Sequence, residues 1–481
     1  MLQIKSLFSL KASSLLLVVA ALWVFALRAP APALASHRQI TFFEAPSELL
    51  EPATRAKALG QLQALGVKAL RVELYWKSVA PAPNSPNRPN FEATNPADYN
   101  WGQYSLLLAE AQRLKWPVLL TVTAPVPNWA TSNHKAPYIT RPKAADFKEF
   151  MTAVGHEFGS EVQYFAIWNE PNQLGWLMPQ WNSNGTPASP RIYRGLYQAG
   201  YEGLQASGMS KPKVFIGETA PFGNSSIKAH KEGLIHNVSP LEFMREMLCL
   251  NHRYHKSPSC SQLPAYAYAH HPYPNAAGPF YKSPNHDDVT IGVLSRLSNA
   301  LNLAARAHAL PANLPIYITE FGINTKPNIL GVSYAKQAEY DAISEKIAWE
   351  NPRVASFAQY ELRDDRVPKS FAHGGFIGFQ TGLETFAGVH KPLYAGFSIP
   401  LVVSKSGHHG YSLWGSVRPA SASTKVTVQV QPPHSKHFRT LKVVSTGSTG
   451  YWTLHSSTAG SHWRVLWRSP SGVTYTGPSI G

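Results

Sequence analysis

Cysteine is nearly absent: the 481-residue chain holds two, Cys249 and Cys260. That excludes a disulfide-dense scaffold and a multi-cysteine zinc domain. Two thiols so close together read as one disulfide stapling a single loop, and closing it would be worth about 3 kcal/mol in the chain-entropy model. His252 and His255 lie between them, but the spacing fits no common zinc pattern. Long apolar runs are equally scarce. Past residue 35 no stretch is apolar enough to span a membrane, since a spanning helix needs roughly 20 such residues. Acidic residues are outnumbered, 28 against 44 Lys and Arg, for a formal charge of +16. The last part of the chain, 404–481, has eight Lys and Arg and no Asp or Glu at all. No glycine-rich phosphate turn follows the first strand-like run, which argues against a dinucleotide-binding open sheet.

Residues 1–35 read as a signal peptide: a basic start at Lys5 and Lys11, a short apolar run, and a small-residue site at Ala33-Leu34-Ala35. The run leaves open retention as an anchor. Either way the body of the protein is expected to be secreted or at the cell surface. Lys5, Lys11 and Arg28 leave with the segment, so the charge falls to +13. In that location a basic surface favours anionic cell-wall polymers over nucleic acid, or is only a solvated face.

Between 36 and 403, short apolar runs alternate with amphipathic ones. Strands are expected at 40–43, 69–76, 117–124, 162–168, 213–217, 265–271, 315–320 and 354–360. Several are apolar throughout, as strands buried on both faces should be. Leu59, Leu62 and Leu65 share a helical face, as do Tyr104, Leu107, Leu108, Ala111 and Leu114, and later Ile291, Leu294, Leu297 and Leu301. A final helix is expected over 392–403. Strand and helix alternating eight times specifies a (β/α)8 barrel, an α/β fold. From 404 the pattern turns to short alternating runs between Gly, Ser and Pro turns, the signature of a small antiparallel β-sandwich. Its tryptophans, Trp414, Trp452, Trp463 and Trp467, fit either the core of that sandwich or a polysaccharide-binding face.

Two of the strands end in a glutamate. Phe165-Ala166-Ile167-Trp168-Asn169-Glu170-Pro171-Asn172 closes the fourth, and Pro315-Ile316-Tyr317-Ile318-Thr319-Glu320-Phe321-Gly322 closes the seventh. Carboxylates at C-terminal strand ends sit on the face where barrel enzymes keep their chemistry. A pair of them flanking a glycosidic bond is sufficient to hydrolyse it. These motifs resemble those of the clan A glycoside hydrolases, most nearly the cellulase-like members of family 5, with family 39 as neighbours. The resemblance spans about 40–403, and its specific motifs occupy some twenty positions.

That resemblance implies a secreted O-glycosidase acting on a β-linked glycan, with no cofactor and no metal. Glu170 would be the acid/base and Glu320 the nucleophile of a retaining double displacement. It further implies that Asn169 binds the sugar 2-hydroxyl, Arg71 braces the nucleophile, His271 contacts the sugar and Tyr273 hydrogen-bonds the nucleophile. Strict alternation would turn Asn169 away from Glu170, so the strand is expected to bend there. His270, its neighbour turned to the other face, reads as a core histidine. Glu218, ending the fifth strand, is a substrate or network contact. Where the family commonly places a tryptophan after strand eight, this chain has Tyr360; Trp76, Trp129 and Trp176 are further stacking candidates. Two other readings use the same residues: a noncatalytic polysaccharide-binding surface protein, and a wall-remodelling transglycosylase.

Overall fold

The computed structural model describes residues 38–224, 237–367, 378–408 and 410–481. The proposed signal peptide lies outside them. Eight parallel strands close into a barrel in chain order. They are β1 (Ile40–Glu44), β2 (Ala69–Tyr75), β3 (Val118–Thr123), β4 (Tyr164–Ile167), β5 (Val214–Thr219), β6 (Ala267–His270), β7 (Ile316–Ile318) and β8 (Val354–Tyr360). Closure is made by β8 pairing with β1, Ser356 opposite Ile40 through Tyr360 opposite Glu44. Helices between the strands are α1 (Pro52–Leu65), α2 (Gly102–Arg113), α3 (Ala144–Phe158), α4 (Ser189–Ala206), α5 (Pro240–Met247), α6 (Ser295–Arg306), α7 (Tyr334–Glu350) and, after β8, α8 (Pro392–Ser398). The fold is the expected (β/α)8 barrel.

Alternation along the strands separates two cores. Phe42, Leu119, Tyr164, Phe215 and Tyr317 fill the barrel interior, with Ala69, Ala166, Ala269 and Ala358 giving them room. The opposite faces pack under the helices, with Leu70, Val122, Ile167 and Ile216 against residues such as Leu62, Leu107 and Phe147. Large side chains buried on both faces are why these strands read as continuous apolar runs. Gly203 lets α4 lie close against α3, since a Cβ there would stand 2.4 Å from the Lys148 carbonyl oxygen. Cys249 and Cys260 form the expected disulfide across the segment between α5 and β6. No described helix is long and apolar enough to cross a membrane.

The C-terminal unit starts slightly earlier than the sequence pattern placed it. The last barrel helix ends at Ser398, and β9 (Leu401–Ser406) already belongs to the sandwich. Pro400 cannot continue a helix, and Leu401-Val402-Val403 pairs with β10 instead. Beyond it run β10 (Gly410–Ser416), β11 (Lys425–Gln431), β12 (Arg439–Ser445), β13 (Tyr451–Ser456), β14 (His462–Arg468) and β15 (Thr474–Thr476). They form two sheets, β13-β10-β9 and β12-β11-β14-β15. Trp452, Trp463 and Trp467 fill the space between the sheets with Val426, Val428, Val430 and Val465. Trp414 points the other way, 5.8 Å between ring centroids from Trp349 of α7. All four tryptophans are buried, so they pack the sandwich and its junction with the barrel and offer no face to a polysaccharide.

Candidate active site

The chemistry-bearing groups collect where the strands end. Glu170 lies three residues past β4 and Glu320 two past β7. Carboxylate oxygens of both and a ring nitrogen of His271 all lie within 4.8 Å of one another. The chain after β4 does bend. Trp168 and Glu170 have φ of 72° and 38°, values that a bulky residue adopts only when its surroundings fix it. Asn169 N–H is caught by Thr123 Oγ1 at 3.0 Å and Glu170 N–H by the Glu218 carbonyl at 3.0 Å. Asn169 and Glu170 thereby reach the same site despite being sequence neighbours.

Arg71 is the hub beneath them and is fully buried. Its Nε and Nη2 each donate at 3.1 Å to the two oxygens of Glu218, a forked pairing. Nη2 also reaches Asn169 Oδ1 at 2.7 Å, and Nη1 donates to Glu320 Oε2 at 3.1 Å and to Glu44 Oε2. Glu73, two residues on along β2, lies 3.5 Å from Nη2 and accepts from Tyr75 Oη at 2.5 Å. One guanidinium thus faces four carboxylates, which hold its proton more firmly than burial loosens it.

Burial raises both central carboxyls. Glu320 is pushed up to about 7 by burial, with Arg71 pulling it back and Glu73 adding to the rise. Tyr273 Oη donates to its Oε1 at 2.6 Å. Glu170 is raised well above the usual range by burial and then by the charge of Glu320. Two neighbouring carboxyls with raised proton affinity share protons more readily than either would in water.

His271 sits between the two. Nδ1 lies 3.0 Å from Glu170 Oε1 and 3.6 Å from Glu320 Oε2, and Nε2 is 3.0 Å from Thr319 Oγ1. Burial and then Arg71 lower its proton affinity, so the ring is neutral and one nitrogen donates while the other accepts. It is wholly buried with both nitrogens engaged, so it belongs to the carboxylate network, and the expected sugar contact is corrected. His270 turns to the other face, bonded to Thr219 Oγ1 and the Val289 carbonyl. Glu170, His271 and Glu320 are close enough for a metal, yet the Glu320 oxygen facing His271 already receives Arg71, whose charge repels a cation.

The other candidates divide. Glu218 is 1% exposed and committed to Arg71, so of its two expected roles it fills the network one. Tyr360 ends β8 half-buried, with its ring 4.9 Å from that of Phe379. Trp176 is half-buried and stacked on Tyr75 at 6.4 Å with 10° between planes. Trp76 and Trp129 are corrected: both are buried, Trp76 stacked on Phe150 at 5.0 Å and edge-on to Trp129 at 5.8 Å. Their rings have no free face for a sugar. Sequence reasoning missed Glu44, Glu73 and Gln173. Glu44 closes its strand as Glu320 closes the seventh, and Glu73 shares the inward face of β2 with Arg71, so the signal for both is present in the sequence. Gln173 carried no such signal.

Fold and site together define a (β/α)8 barrel with a buried pair of carboxyl groups at the mouth formed by its strand ends. No protein-family model matches the sequence, and no curated protein matches it. Among solved structures, a glucosidase from Croceicoccus marinus superposes with a TM-score of 0.51 at 10% identity, over 90% of this chain and 96% of that one. GH5_18 from Streptomyces cattleya, in complex with GlcNAc, gives 0.49 at 13% identity over 74% and 78%. Xylanase 10B from Thermotoga petrophila RKU-1, in complex with xylobiose, gives 0.44 at 15% over 74% and 92%. These neighbours are glycoside hydrolases, and at such identities the likeness is one of fold.

Proposed function

We propose that the protein is a glycoside hydrolase cleaving a β-linked glycan by a retaining double displacement. The observation that carries the reading is the approach of a Glu170 oxygen to a Glu320 oxygen within 4.8 Å. Retaining pairs stand about 5–5.5 Å apart and inverting pairs about 6.5–9.5 Å, which leaves room for water. In the first step an ionised Glu320 oxygen bonds to the anomeric carbon as the glycosidic bond breaks, and Glu170 gives its proton to the departing oxygen. In the second, Glu170 takes a proton from water, whose oxygen displaces Glu320 and restores its carboxylate. Arg71 and Tyr273 hold Glu320 in place, and Asn169, fixed by Arg71, is set to meet the 2-hydroxyl of the sugar. Activity on a panel of aryl glycosides and β-glycans tests this. Glu170→Gln and Glu320→Gln should each lose at least a thousandfold in kcat/KM, and a trapped glycosyl-enzyme should sit on Glu320. A trap on another residue, or equal activity in all three proteins, would sink the reading.

From the signal-peptide pattern of residues 1–35 we further propose that the enzyme acts outside the cytoplasm, with the cationic surface of 404–481 contacting anionic wall polymer. Cosedimentation of the full chain with polygalacturonate should weaken steeply with salt. Equal retention on an uncharged glucan would overturn the contact.

A further inference from the structure

Gln173, half-buried in the segment after β4, donates from Nε2 to Glu170 Oε2 at 2.5 Å. The two oxygens of Glu170 therefore have different surroundings. Oε1 faces His271, which is buried and stands between Glu170 and Glu320. Oε2 faces Gln173, which is half-buried where His271 is wholly buried. If the glycosidase reading holds, one oxygen of Glu170 must meet the departing group, and Oε1 is already turned inward. We infer that Gln173 is a positioning residue that holds Oε2 of Glu170 on the leaving-group side and stabilises the ionised form needed in the second step.

Gln173 is itself held firmly. Its N–H donates to the Glu170 carbonyl at 2.9 Å, and its carbonyl accepts from Trp176 N at 3.2 Å, Leu177 N at 3.1 Å and Gln180 Nε2 at 3.0 Å. Gln180 is buried and also donates to the Pro171 and Leu177 carbonyls. The amide is thus presented from a pinned turn. An N–H aimed at a carboxylate favours its ionised form; here it opposes burial and the Glu320 charge, which both favour the neutral acid.

The test is the pH dependence of kcat/KM for wild type, Gln173→Leu and Gln173→Met, the second keeping the length of the side chain without its N–H. Loss of the donor should move the alkaline limb, where Glu170 loses its proton, upward by about one pH unit or more. The acid limb, set by Glu320, should stay within a few tenths of a unit of its wild-type position, as expected for a group that does not touch Gln173. Lower activity with an unmoved alkaline limb in both variants would overturn the inference, leaving Gln173 a structural residue. A readout without turnover separates this from failure of the glycosidase reading: infrared difference titration of Glu170, assigned against Glu170→Gln. Its midpoint should rise in both Gln173 variants whether or not the protein cleaves any glycan, and an unchanged midpoint overturns the role.

Discussion

Arg71 shows how much of this site rests on one side chain. Its guanidinium is shared among Glu218, Glu44, Glu73, Glu320 and Asn169, and a planar fork with five donors is the group that can serve so many acceptors at once. Removing it strands four buried carboxyl groups without a cation. Arg71→Met should therefore cost about 3–5 kcal/mol of stability, the usual penalty for breaking one side of a buried ion pair. It should also shift catalysis in a predictable direction. Arg71 is the main force lowering the proton affinity of Glu320, which with Arg71 in place stands at about 7. Without it Glu320 keeps its proton to higher pH, so the acid limb of kcat/KM moves upward. Arg71→Lys retains the charge but not the fork, and should recover the limb position better than the activity. Melting curves and pH profiles of the two variants check this; a limb that stays put in Arg71→Met would show that the guanidinium does not govern the titration of Glu320.

At the scale of elements, strand ends explain which parts of the site were legible. Glu170, Glu218 and Glu320 could be found because each closes an apolar run, and the barrel because eight such runs alternate with helical faces. Trp76 and Trp129 misled because an aromatic just past a strand reads the same whether it faces the mouth or the helix layer. Here a one-turn helix, Trp76–Val79, rotates Trp76 under α3, where Phe147 and Phe150 cover it. Gln173 was invisible for a different reason. Its contact with Glu170 depends on φ values near Trp168 and Glu170 that local sequence does not specify. The helix expected over 392–403 stops at Ser398 because Ile399 to Val403, apolar whether it covers the barrel or pairs in the sandwich, is claimed by β10.

At the scale of the whole molecule, the sandwich is joined to the barrel away from the mouth. Lys68, just before β2, donates to the Ala420 carbonyl at 2.9 Å. Arg418 ties three barrel elements together through Thr41 Oγ1 of β1 at 2.6 Å, the Phe397 carbonyl of α8 at 2.8 Å and Glu345 of α7 at 2.9 Å. One turn before Glu345 on α7 stands Asp341, 2% exposed, with no partner for Oδ1 among the described residues. Burial pushes its carboxyl up to about 8, with Glu345 adding to the rise and Arg418 opposing it. An unfolded aspartate releases its proton near pH 4, so between about 4 and 8 the folded protein holds a proton that the unfolded chain has given up. The contribution of Asp341 to stability therefore falls as pH rises through that window. Asp341→Asn removes the titration while keeping the shape. Its denaturation midpoint relative to wild type should improve steadily from pH 5 to pH 8.5, whatever constant offset the amide brings. A difference that does not change with pH would mean that Asp341 titrates alike in both states and does not weaken the junction between sandwich and barrel.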